Sequence, residues 1–276
     1  MTTTSRLQRK ILRLQRQLGW PRWLHHMGPK TYEVRQHFIV LLLWSSTPIG
    51  FRRAVTLLRD LGFIVPSYSA VAKFFHRLPN ALWQRVLTAT IGQQPARIAS
   101  IDGTGLSQRN PSYHYLRRID GHRPSIPVKW SVLVCTRTKR VLAEFARVLP
   151  AHDVRDVQRL LDRTPVIVEK IVADKGYDAE HIHQLCANRR IIAIIPSRRN
   201  VRRGFYRKKM RKHYRKRTYH RREMSETVFS VLKGRSGGSV RCRSARTIRA
   251  ELTLRAIAYN LKVRLRRLFQ RGHVRQ

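Results

Sequence analysis

Fifteen acidic residues stand against 58 lysines and arginines in this chain of 276 residues, so each carboxylate can be weighed singly. Asp102 lies in "ASIDGTGL" and Asp174 in "IVADKGYD"; each closes a short apolar run and is followed within two residues by a glycine. Such runs read as strands, which puts each aspartate at a strand's carboxyl end, where functional groups gather in open α/β sheets. If the two strands are neighbours, the carboxylates face each other across one cleft. Carboxylates in close approach repel, which raises the pKa of one of them. A hard divalent cation such as Mg²⁺ relieves that repulsion with oxygen ligands alone. Two such ions, roughly 3.5–4 Å apart, activate a nucleophile and stabilise a leaving oxygen in phosphodiester cleavage. The competing reading is structural: in so basic a chain each aspartate pairs with an arginine.

A third carboxylate comes from "TYHRREMSETVFSVLKG", residues 218–234. On a helix, Tyr219, Arg222, Glu226, Phe229 and Lys233 recur at spacings of three and four and form one stripe, with Met224, Val228 and Val231 to one side as expected core. Glu223 has no such alignment and reads as a surface acid. The bland alternative is a solvated helix whose charge pairs contribute ~0.2–0.5 kcal/mol each.

The elements that must position these residues fall into two textures. From residue 5 to about 92 the pattern is helical. Leu7, Ile11, Leu14 and Leu18 form one stripe ending near Gly19, and "TYEVRQHFIVLLLW" is a more buried helix. "FRRAVTLLRDLG" puts Ala54, Leu57, Leu58 and Leu61 on one face, with Gly62 as its stop. "FIVPSYSAVAKFFHRLPN" adds candidate caps Ser67 and Ser69 and a short helix before Pro79, so this region holds a candidate helix-turn-helix or an ordinary helical hairpin. From residue 96, "RIASID", "WSVLVCT" and "RVLAEFARVL" read as strands. A helix in "DVRDVQRLLDR", a strand in "PVIVEKIVAD", a helix in "AEHIHQLCANRR" and a strand in "IIAIIP" follow. The helix bearing Glu226 and a last one through "RTIRAELTLRAIAYNLKVRLRRLF" complete the chain. That alternation implies an α/β class, a mixed sheet flanked by helices behind an N-terminal all-helical region. The expected division is a helical region over 1–92 and an α/β domain over 93–270 that includes the basic segment 198–222.

The net charge of +43 needs a polyanion, and nucleic acid is the abundant one. Charge alone fits a ribosomal-type or RNA-binding protein equally well. The charge peaks in 198–222, where fourteen of twenty-five residues are Lys or Arg, interleaved with Phe and Tyr. Three isolated cysteines, Cys135, Cys186 and Cys242, have no zinc spacing and suit a reducing cytoplasm. The longest apolar run, Phe38 to Trp44, is too short to span a membrane, and the N-terminus lacks a signal peptide's apolar core.

The spacing Tyr219-x2-Arg222-x3-Glu226-x6-Lys233 resembles the Y-x2-R-x3-E-x6-K signature of a large group of DDE transposases from prokaryotic insertion sequences. "IDGTGLS" and "VADKGYD" look like that group's two aspartate motifs, and "RTIRAELTLRAIAYNLK" is similar to the helix after its glutamate. More loosely, "VPSYSAVAKFFHRL" is similar to the group's N-terminal DNA-binding region. The resemblance covers most of residues 50–265 and implies a ribonuclease H-like fold. It carries the catalytic, metal-binding roles onto Asp102, Asp174 and Glu226, with two Mg²⁺ (or Mn²⁺) ions. Tyr219, Arg222 and Lys233 take the DNA-binding positions. It further implies double-stranded DNA as partner (transposon ends and target), a dimer in the synaptic complex, no membrane, and a cytoplasmic, nucleoid-associated location. The implied reaction is end cleavage followed by strand transfer. Two departures stand out: Ser225 replaces the apolar residue common before the glutamate, and 51 residues between Asp174 and Glu226 leave no room for a large β insertion. The latter supports cleavage and strand transfer in general over a hairpin route in particular. The rival readings are a catalytically inactive, transposase-derived DNA-binding protein and a related metal-dependent nuclease.

Overall fold

The computed structural model describes residues 6–23, 27, 30–108, 118, 127–149, 151–198 and 203–272. Five helices come first: α1 (Arg6–Gln17), α2 (Val34–Ser46), α3 (Phe51–Asp60), α4 (Tyr68–Arg77) and α5 (Asn80–Ile91). The stops are those the sequence marks. Gly19 and Gly62 have positive φ, and at Gly62 the chain closes helix α3 with Phe63 N–H donating to the Leu58 carbonyl at 2.9 Å. Ser67 caps α4 by accepting from Ala70 N–H. One expectation fails: Leu57 and Leu61 are exposed, and the buried face of α3 is Ala54, Val55 and Leu58. The shift by one residue brings Val55 in and leaves the two leucines on the solvent edge.

The sheet comprises β1 (Ala96–Gln108), β2 (Val128–Cys135), β3 (Val141–Arg147), β4 (Val168–Val172), β5 (Ile192–Ile194) and β6 (Ser239–Val240). The order is β3-β2-β1-β4-β5, with β6 paired to the end of β1. β1 runs antiparallel to β2 and parallel to β4, and β4 runs parallel to β5. This is the expected mixed α/β sheet flanked by helices behind an all-helical N-terminal region. The two-residue β6 carries too little pattern to be read from sequence.

Side-chain alternation along the strands splits the interior in two. On one face Val132, Val134 and Leu106 pack against α2, α5, α10 (Glu223–Ser236) and α11 (Ala245–Gly272). On the other, Ile101, Leu133 and Phe145 pack against α6 (Val154–Arg163) and α7 (Glu180–Asn188). The N-terminal helices thus share an apolar core with the sheet. Asn260 of α11 closes the edge at β3: its Oδ1 accepts from Val141 N–H and its Nδ2 donates to the Val141 carbonyl, both at 2.9 Å. No single helix among the described residues is long and apolar enough to cross a membrane. The apolar α2 is buried on nearly every side within this core.

Candidate active site

β1 does not end at Asp102, as its glycines suggest, but continues through Gly103 and Gly105 to Gln108. What ends there is its neighbour. The last β1–β4 pair is Ser100 with Val172, while pairing to β2 continues to Leu106. Asp102 and Asp174 therefore each lie two residues beyond the same terminal pair, where the parallel pairing of β1 and β4 ends. Glycine serves both. Gly103 N–H donates to Asp102 Oδ1 at 2.8 Å, and Gly176 N–H donates to Asp174 Oδ1 at 2.8 Å. A Cβ on residue 176 would sit 2.8 Å from that same Asp174 oxygen, so only glycine lets the carboxylate fold over the turn. Asp174 thereby caps a 3-10 turn, Lys175–Tyr177.

Glu226 arrives from the other direction, on α10. Its helix is preceded by α8 (Phe205–Arg211), α9 (Lys216–Tyr219) and the 3-10 turn His220–Arg222, so the Tyr219-to-Lys233 register runs through a nearly continuous helical path. The buried face of α10 is Ser225, Val228, Phe229, Leu232 and Ser236. Met224 and Val231 lie at its margin, and Phe229 belongs to the core, 5.9 Å centroid to centroid from Trp130. The inward rotation follows from Ser225, which is fully buried against β1. Glu226 comes next on the solvent side, its carboxylate bonded to Arg222 Nη1 at 2.6 Å. The Arg222 guanidinium lies 6.0 Å from the Tyr219 ring centroid. Lys233 is half-buried two turns further on, and among the described residues it makes no ion pair. Glu223 is a surface acid, 70% exposed beside His220.

Electrostatics ties the three carboxylates together. Burial pushes the Asp102 carboxyl above its usual range; the Gly103 amide and Arg222 pull it down, and the negative charges of Asp174 and Glu226 push it up again. Asp102 is thus raised chiefly by burial, and both other acids are among the charges that act on it. Tyr177 is buried, and its phenol is pushed well above the ordinary range by burial and then by Asp153, Asp102, Asp174 and Asp156. The donor set is all oxygen, which suits a hard divalent cation. In the present arrangement the three carboxylates do not converge into a ligand cluster among the described residues. Glu226 is turned to Arg222 instead.

Two features escaped the sequence. Asp178, four residues after Asp174, is fully buried and accepts from Arg207 Nε at 2.7 Å, Arg198 N–H at 2.8 Å and His183 Nε2 at 2.9 Å. Glu180 accepts from the Tyr206 and Arg207 amides, capping α8. The cationic stretch is thus clamped beside the Asp174 turn, while Lys208, Lys209, Arg211 and Lys212 face solvent. The second feature is Ser100, buried on the same face of β1 as Asp102 and bonded to Ser225 at 2.9 Å. A single serine in a strand gives no periodic signal.

A family model described as a transposase DDE domain matches residues 93–261. No curated protein matches the chain. Among solved structures, the cryo-EM structure of the piggyBac transposase synaptic complex with hairpin DNA is similar over 92% of this chain and 70% of that one, at 11% identity and a TM-score of 0.49.

Proposed function

The chain belongs to the family of transposase DDE domains, and from that premise we propose that it is an insertion-sequence transposase that cleaves transposon ends and joins them to target DNA. The observation that carries this reading is the placement of Asp102 and Asp174 two residues beyond the last β1–β4 pair, with Glu226 on the helix that Ser225 holds against β1. Asp102, Asp174 and Glu226 would hold Mg²⁺ or Mn²⁺, two ions by the resemblance. The ions' chemistry is to lower the pKa of an attacking hydroxyl and to stabilise the leaving oxygen.

The chain's own residues orient the DNA. Arg222 and Lys233, on one side of the site, supply charge for phosphates, and Tyr219 backs Arg222 through ring contact. For Glu226 to act as a ligand its pair with Arg222 opens, which frees the guanidinium for DNA. Water first attacks the phosphodiester at each end and leaves a 3′-hydroxyl; that hydroxyl then attacks a target phosphodiester, releasing a new 3′-hydroxyl in the target. Both steps are in-line displacements with no covalent protein–DNA intermediate, and two ends imply a dimer on DNA. The exposed lysines and arginines of α8 extend the phosphate-tracking surface beside this site.

The test is cleavage and strand transfer on DNA carrying the element's own ends. Asp102→Asn and Glu226→Gln are each expected to lower the rate by about 10³-fold, the scale of losing one preorganised electrostatic group. Activity retained in either variant sinks the assignment. Replacing Lys208, Lys209 and Lys212 with Gln should make the salt dependence of DNA binding shallower, by about 0.9 in slope for each phosphate no longer neutralised.

A further inference from the structure

Ser100 and Ser225 are 125 positions apart, both wholly buried, and their hydroxyl oxygens lie 2.9 Å from each other. Both also reach one acceptor, the Arg222 carbonyl, at 3.1 Å from Ser100 and 2.8 Å from Ser225. Ser225 Oγ is in addition 3.5 Å from Asp102 Oδ2, at the outer limit of a hydrogen bond. Two hydroxyls carry two protons, while these contacts outnumber them. With the Ser100 proton donated to Ser225 Oγ, the pair is bonded and the Ser225 proton is free for Asp102. The other Asp102 oxygen is already held by Gly103 N–H. One carboxylate is thus addressed on both oxygens, by its own strand and by the helix that bears Glu226.

The placement makes the pair a gauge. Ser100 and Asp102 share a face of β1 because side chains alternate along a strand. Ser225 is the residue before Glu226, and Arg222, whose carbonyl joins the pair, is the residue whose side chain holds Glu226. An apolar residue at 225 would bury as well but would fix neither the carboxylate's rotation nor the helix's register against the strand.

We propose that Ser225 and Ser100 form a positioning pair that sets the orientation of the Asp102 carboxylate and its separation from Glu226. This rests on the proposed metal-binding role of those two acids. Groups that orient ligands from behind typically change metal affinity about 10–100-fold. The experiment is a Mn²⁺ titration of the full chain, followed by the EPR signal of free Mn²⁺, with thermal unfolding of each variant alongside. Ser225→Ala and Ser100→Ala are each expected to weaken Mn²⁺ binding about tenfold, and the double variant no more than about twofold beyond the weaker single one, because both remove one interaction. Ser236→Ala is the control: it deletes another buried serine of α10, bonded only within the helix to the Leu232 carbonyl, and should leave Mn²⁺ binding unchanged. If Ser225→Ala does not fold, Ser100→Ala decides alone. Wild-type affinity in both serine variants, or additive losses in the double variant, while Asp102→Asn abolishes binding, overturns the pair and leaves the site. Unchanged binding in Asp102→Asn overturns the site and the pair with it.

Discussion

Adjacent helices α10 and α11 each carry an arginine–glutamate pair at i,i+4 spacing, with nearly equal contacts: Arg222 to Glu226 at 2.6 Å and Arg255 to Glu251 at 2.7 Å. Their surroundings differ. Arg255 and Glu251 are 1% and 0% exposed, Arg222 and Glu226 25% and 51%. Glu251 also accepts from the Arg241 and Cys242 amides at 2.9 and 3.0 Å. Arg241 in turn donates to the Trp44, Thr47 and Ile49 carbonyls past the end of α2, and Arg255 to those of Gly237 and Ser239. Glu251 is therefore a staple joining α2, β6 and α11. Burial alone would raise its pKa, but Arg255, Arg241 and the Cys242 amide outweigh burial and hold it below the usual range. Glu226, itself half-exposed, has Arg222 as its single counter-ion among the described residues, and burial pushes the neighbouring Asp102 the opposite way. A carboxylate saturated by arginines builds the fold; one held by a single, partly exposed pair is available for chemistry.

The largest test of this contrast is stability. Glu251→Gln strands two buried guanidinium groups and should cost about 3–5 kcal/mol in denaturant unfolding. Glu226→Gln removes an exposed pair and should change stability by no more than about 0.5 kcal/mol. Similar losses in both variants would erase the distinction. The next effect is in the pH dependence. Glu251, with its folded pKa depressed, stabilises above its unfolded pKa, and that stability is lost as pH falls through the folded value. Asp102, with its folded pKa raised, costs nothing below its unfolded pKa, and the cost grows as pH rises through the interval up to the folded value. Asp102→Asn should therefore equal the wild type in acid and exceed it at neutral pH; a variant less stable at neutral pH contradicts the cost of burying this carboxylate. The smallest effect concerns Arg222→Gln. Its expected stability change is ~0.3–0.5 kcal/mol, and its salt slope for DNA binding should be shallower by about 1. An unchanged slope would return Arg222 to the role of a surface ion pair.

Much of this architecture is legible locally. Gly19 and Gly62 end helices because they take positive φ, and Pro79 follows the end of α4. The apolar runs before Asp102 and Asp174 are strands, as short β-branched segments imply, and their parallel adjacency, left as a condition by the sequence, is supplied by the sheet. Rotation is what local pattern misses. Periodicity alone puts Leu57 and Leu61 inward and Phe229 on the charged stripe, yet three- and four-residue spacings leave a helix's docking angle open by tens of degrees. On α10 Ser225 meets Ser100, and no local pattern encodes a pair of hydroxyls 125 positions apart. Asp178 is equally silent, since a lone acid after "KGY" does not announce three donors.

By itself the sequence determined the classes of element, the order of the aspartates and glutamate, the cationic stretch before Glu226 and the register from Tyr219 to Lys233. Those are short-range properties, set by side-chain volume, backbone freedom and spacing along the chain. Only the tertiary structure decided which acids are held below and which above their usual range: Glu251 below by two arginines, Asp178 below by Arg207 and the Arg198 amide, Asp102 above by burial. Neutralisation depends on distance and dielectric through space, and both are fixed only once distant segments have packed.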